Sequence, residues 1–206
     1  MAGDENDNRP CHDARAEQVL QMAVVAAILF DPTAARALLD VPDAELGRRF
    51  KIRLMRVAGL STALDLDVNS IHGQSPQASS KTGLGSKRRQ PTRYALIAKG
   101  RLLHLSDFLA ASGLSEQRLT KDLTAGRIFS VDIGTDTYYP AFFLVNELDR
   151  KALAKVVQRL GDLTGWAKWK YLTTPNMALG DSTPLQALMR GDAKQVLRSV
   201  AAFVEK

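Results

Sequence analysis

Apolar residues recur at helical spacing over most of this chain and shift to strand spacing in one short stretch. Val19, Met22, Ala23, Ala26 and Ala27 set a helical period inside a run, Val19 to Phe30, broken only by Gln21. Asp31-Pro32 predicts the end of that helix and the start of the next, with the carboxylate accepting from free amides and the proline at the first helical position. Ala35, Leu38 and Leu39 give a second, short helix. Pro42-Asp43 repeats the start signal, and Leu46, Phe50, Leu54 and Val57 form the stripe of a third helix from Ala44 to about Val57. From Ser61 to about Gln90 all periodicity is lost; Gly73, Pro76, Ser79-Ser80, Gly83 and Gly85 predict a linker. Arg93 to Gly100 then predicts a helix with Tyr94, Leu96 and Ile97 inward.

The change of period falls between Leu105 and Phe143. Ser106 is expected to cap one helix, which buries Phe108 and Leu109 and turns at Gly113, where positive φ carries no Cβ clash. Ser115 is expected to cap a second, with Leu119 and Leu123 on its buried face and Gly126 at its end. Ile128, Phe129 and Val131 then alternate as a strand, Gly134-Thr135-Asp136 turns, Thr137 to Tyr139 return, and Pro140 closes the hairpin. This order of helix, turn, helix and two-stranded wing, with Ser-Asp-Phe-Leu from 106, Gly-Leu-Ser from 113, Leu119 and Gly-Arg-Ile from 126, resembles the winged helix-turn-helix of MerR-type and excisionase-type DNA-binding proteins. The resemblance implies that the second helix enters the major groove and the wing meets backbone or minor groove. Ser115, Gln117, Arg118, Thr120 and Lys121 are then the candidate reading or positioning groups, since Gln can bond adenine and Arg guanine in two-pronged fashion. Arg127 and the arm Lys87-Arg88-Arg89 are candidate phosphate contacts. The same polar helix face would also suit a small packing unit whose charges are simply solvated.

Leu148, Leu153, Val156, Val157 and Leu160 form one side of a helix between Asn146 and Gly161, with Lys and Arg on the other. Beyond it, Trp166 and Trp169 lie three apart, Pro184 stands at a first helical position, and Val196, Leu197, Val200 and Phe203 are expected inward on a last helix. Trp169, Pro175-Asn176, Leu179-Gly180, Thr183-Pro184-Leu185, Leu188, Gly191 and Val196 resemble the toxin-binding domain of Xre/ParS/MbcA-type antitoxins. That resemblance implies a protein partner, a toxin often of the NAD-degrading RES type, taken by a surface including Trp166, Trp169, Pro175, Asn176, Leu179, Gly180, Pro184 and Leu185. Without a toxin, the same residues would build a small helical core serving oligomerisation in a regulator or a plasmid or chromosome maintenance protein.

Composition adds little beyond a sign. The 206 residues carry a formal charge of +6, which favours an anionic partner. From Lys81 through Arg101 there are seven bases and no acid. The bases of the third helix, Arg48, Arg49, Lys51, Arg53 and Arg56, follow Asp43 and Glu45, the order that suits a helix dipole and a solvated face. The single cysteine, Cys11, can form no internal disulfide, which points to a reducing compartment. His12, His72 and His104 lack metal-ligand spacing, no glycine-rich phosphate loop follows a strand, and no Ser, His and Asp set is placed together, so catalysis, metal and cofactor are not expected. The apolar run is too short to span a bilayer, which needs about 20 residues, and cytoplasmic localisation is expected. The expected architecture is mainly α with a small β-hairpin wing: a mobile leader over 1–13, a helical module over 14–60 that hides its apolar excess in its own core or in a dimer interface, a flexible basic linker over 61–90, a winged helix-turn-helix over 91–145 and a helical partner-binding module over 146–206.

Overall fold

The computed structural model describes residues 10–66 and 92–204. Most of the expected linker, with Lys87, Arg88 and Arg89, and the first nine residues of the expected leader lie outside them. Contacts divide the chain into two units, Met1–Phe50 and Lys51–Lys206.

In the first unit, α1 spans Pro10–Phe30, so helix begins within the expected leader. Asp31 ends it and caps α2, Pro32–Ala37, its Oδ1 accepting from the Ala34 amide at 2.9 Å with Pro32 in the first turn. A 3-10 turn, Leu38–Asp40, leads to the start of α3, Asp43–Ala63. Early on α3, Glu45 accepts from Arg48 at 2.7 Å and Arg49 at 2.6 Å, and these bonds hold its carboxyl down to about 2. Two of the bases on this helix are thus neutralised locally.

The second unit begins inside α3, which runs past the linker start expected at Ser61. Burial holds this last turn helical, with Ser61, Thr62 and Ala63 all buried; both hydroxyls are satisfied within it by donating back to the Ala58 carbonyl at 2.9 Å. After α4, Arg93–Ala98, comes an unexpected two-residue strand, β1, Leu102–Leu103. The chain therefore enters α5, Leu105–Ser112, from a strand, and the cap position is His104 rather than Ser106. Next are α6, Glu116–Thr124, β2, Val131–Ile133, and β3, Asp136–Pro140. β2 starts three residues later than the alternation suggests. The Arg127 and Ile128 amides both donate to the Asp122 carbonyl, at 2.8 and 3.3 Å, so that segment belongs to the end of α6 and is not free to pair.

The three strands form one antiparallel sheet in the order β1-β3-β2, with Leu103 opposite Tyr139 and Val131 opposite Tyr138. Successive strand residues point to opposite faces, and here each face has its own core. Leu103 and Tyr139 join Phe108, Leu119 and Leu144, with Ile52 and Met55 of α3 packed alongside. Leu102, Tyr138, Val131 and Ile133 join the other core, built with α7, Arg150–Arg159, α8, Gly165–Thr173, α9, Pro184–Met189, and α10, Ala193–Val204. Phe142, in the 3-10 turn Ala141–Leu144, stacks on Trp169 with ring centroids 5.6 Å apart. This second core runs without interruption across the boundary expected at 145/146. The described chain is mainly helical with this small sheet. Leu148, Leu153, Val156, Val157 and Leu160 are all buried as their spacing predicts, whereas Phe203 is 44% exposed and touches Tyr171 from the edge of the core. No described helix is long and apolar enough to cross a membrane.

Candidate nucleic-acid interface

Gly113 takes φ +69° at the end of α5, which lets the chain turn into α6 through only Gly113, Leu114 and Ser115. Ser115 then caps α6, its Oγ accepting from the Arg118 amide at 3.3 Å. Leu119 is the buried anchor of α6, with Leu123 half-buried beside it. That anchoring leaves Gln117, Arg118, Thr120 and Lys121 exposed on the outer side. The Thr120 hydroxyl donates back to the Glu116 carbonyl at 3.0 Å.

Asp122 has no counterpart in the periodicity reading, yet it organises this surface. Its side chain is buried, and one carboxylate oxygen accepts from both Nε and a terminal nitrogen of Arg127, the former at 2.8 Å. Its other oxygen lies 3.5 Å from Arg118 Nε. Of the two described arginines assigned to DNA, Arg127 is thus held against the end of α6, and Arg118, paired more loosely with the same carboxylate, is 61% exposed. Asp122→Ala should cost about 1–2 kcal/mol, a charged hydrogen bond discounted for the partial exposure of Arg127, read as a lower urea midpoint. An unchanged midpoint would mean that the carboxylate does not hold these groups.

A second basic surface adjoins α6. Asp149 caps α7 by accepting from the Lys151 and Ala152 amides at 2.8 and 3.2 Å. Leu153, Val156, Val157 and Leu160 turn inward, and Arg150, Lys151, Lys155 and Arg159 are all exposed. Gln158 Nε2 donates to the Ala125 carbonyl at 2.9 Å, which ties this helix to the C-terminal end of α6. The Lys/Arg bias of this helix is legible in sequence; its attachment to α6 is not.

The β2–β3 hairpin turns at Gly134, φ +63°, and Thr137 Oγ1 donates across it to Asp132 Oδ1 at 2.9 Å. Trp166 Nε1 donates to the Asp132 carbonyl at 2.9 Å, and the Arg93 guanidinium lies 4.5 Å above the indole ring. Comparisons with family models, curated proteins and solved structures find no match. The chemistry of the site therefore rests on its own geometry.

Among the residues assigned to a partner surface, Trp169, Leu179, Pro184 and Leu185 are buried in this protein's own core. They shape the C-terminal surface without forming it. Trp166 is half-buried on the hairpin, and Pro175 and Gly180 are exposed. Asn176 closes a local loop: its Oδ1 accepts from the Ala178 amide at 3.0 Å, and its own amide donates to the Ser182 carbonyl at 3.0 Å. Thr183 and Gln186 cap α9 reciprocally, at 3.1 and 2.9 Å. Met177, 89% exposed, is the large apolar side chain that sequence reading passed over here. Among the described residues no group of three or more His, Cys, Asp and Glu side chains converges as a metal cage requires.

Proposed function

We propose that this chain is a DNA-binding transcription regulator in which 91–145 acts as a winged helix-turn-helix. The observation that carries the reading is the exposed polar face of α6, set after a Gly113 turn and a Ser115 cap and followed by the β2–β3 hairpin of a β1-β3-β2 sheet. Gln117, Arg118 and Lys121 meet base edges or phosphates in the major groove, the Gly134 turn serves as the wing, and the exposed bases of α7 extend the phosphate footprint. The formal charge of +6 supports an anionic partner. The Lys87-Arg88-Arg89 arm adds a sequence-blind grip.

The test is binding of the purified protein to duplex DNA from upstream of its own gene, against shuffled duplex, over a range of salt. Arg118→Ala/Lys121→Ala should weaken binding roughly 10- to 100-fold and lower the salt slope by about 0.9 for each of the two that sits on a phosphate. Lys151→Gln/Lys155→Gln should lower the slope without changing the preference for the native sequence. Unchanged affinity and slope in the α6 variant would remove α6 as the reading helix.

For the C-terminal module, the resemblance of 163–206 to toxin-binding antitoxin domains supports capture of a toxin by the surface around Trp166, Pro175 and Gly180. The burial of Trp169, Leu179, Pro184 and Leu185 favours a second reading, in which those motif residues serve the core and no toxin is bound. Co-purification of a toxic neighbour-gene product from the native host separates the two.

A further inference from the structure

In the first unit the burial pattern of α1 is inverted. The half-buried positions are the small ones, Ala23, Ala26 and Ala27, spaced i, i+3, i+4. The large ones are bare: Val24, Val25 and Ile28 are 50–57% exposed, Leu29 77% and Phe30 90%. A helix apolar all round normally lies inside a core. Leu39, 84% exposed in the turn after α2, adds to the same unit's bare apolar surface.

We infer that α1 is a homodimer interface, seated on α1 of a second copy of this chain. The area is of the right size: eight large apolar side chains of α1, 46–90% exposed, with Leu38 and Leu39 of the turn after α2 beside them in sequence, supply on the order of the ~800 Å² per partner that a stable interface buries. This exceeds the apolar patch of a few hundred Å² that a monomer leaves bare. The chemistry excludes a lipid surface as the better occupant. A helix lying on a membrane keeps one charged face, usually of Lys and Arg, and from Val19 to Phe30 α1 has no charged residue on any side. A second α1 offers a matching apolar surface of the same length, and twofold pairing lets one patch cover itself. The interface holds whether or not α6 reads DNA, and it would bring two copies of any DNA-reading unit together.

The test is the mass of the full-length protein by light scattering over a wide concentration range, for the wild type, for Val25→Glu/Leu29→Lys and for Phe30→Ser. The double variant places an i, i+4 pair that favours the helix itself, and Phe30 has almost no contact within its own protomer, so the fold is kept; unchanged far-ultraviolet circular dichroism checks this. Expected are twice 22.5 kDa for the wild type, 22.5 kDa for the double variant, and a dissociation constant raised at least roughly tenfold for Phe30→Ser. A wild type that stays at 22.5 kDa throughout, a double variant that remains as dimeric as the wild type, or a wild type that is monomeric in solution and collects on phosphatidylcholine–phosphatidylglycerol vesicles would each overturn the inference.

Discussion

Gly165→Ala should destabilise the unit over 51–206 by about 3 kcal/mol or more, and lower its melting temperature by roughly 6–12 °C. A Cβ at Gly165 would sit 1.9 Å from the Ser130 carbonyl oxygen, 3.0 Å from its carbon and 3.2 Å from Val131 Cγ1. The nearest obstacle is backbone, so no rotamer change relieves it. The start of α8 must move away from the strand. The Trp166–Asp132 bond, made by the next residue at 2.9 Å, is then lost with it. The sign of the effect is diagnostic. Gly165 is the first residue of a helix and its φ is not positive, so alanine there should otherwise stabilise by up to about 1 kcal/mol. A stabilised variant, by thermal or urea unfolding, would mean that α8 does not abut β2.

What could be read from sequence follows the range of the interaction responsible. Helix starts depend on neighbours three residues apart, and Asp31, Ser115 and Pro184 stand where their caps or first turns require. Leu153, Val156 and Val157 of α7, with Leu148 before it and Leu160 at its C-cap, are buried because one helix face sees one core. Strand limits depend on distant partners. β1 consists of two leucines that pair with Pro140 and Tyr139, and no local pattern marks a strand so short. Ile128 and Phe129 alternate like a strand, but the carbonyl of Asp122 claims the adjoining amides first. At the candidate interface, the outward set Gln117, Arg118, Thr120 and Lys121 was legible from the i, i+4 pair Leu119 and Leu123. The burial of Asp122 was not, because it depends on Arg127 folding back beyond the end of the helix. The antitoxin-like motif is legible as a pattern, but the burial of its members is not, because it depends on distant partners such as Phe142, which stacks on Trp169.

Gly59→Ala tests the other backbone contact of this unit, and Gly47→Ala in the same helix is its control. Both glycines lie inside α3, where a glycine costs about 1 kcal/mol relative to alanine. A Cβ at Gly47 would meet nothing within 4 Å, so Gly47→Ala should stabilise α3 by about 0.5–1 kcal/mol. A Cβ at Gly59 would lie 2.3 Å from the Ala141 carbonyl oxygen, 2.7 Å from its carbon and 3.2 Å from the Phe142 nitrogen. Ala141 cannot retreat: it is fully buried and its amide donates to the Arg101 carbonyl at 2.9 Å, which holds it to the end of β1. Steric cost therefore exceeds the helix gain, and Gly59→Ala should lose about 2–4 kcal/mol net in urea unfolding. The damage should concentrate where α3 meets the sheet, with faster amide exchange around Ile52, Met55 and Leu144 than around Val196 and Val200, which lie in the other core. If both alanine variants were stabilised alike, α3 would not be docked on the 3-10 turn at Ala141.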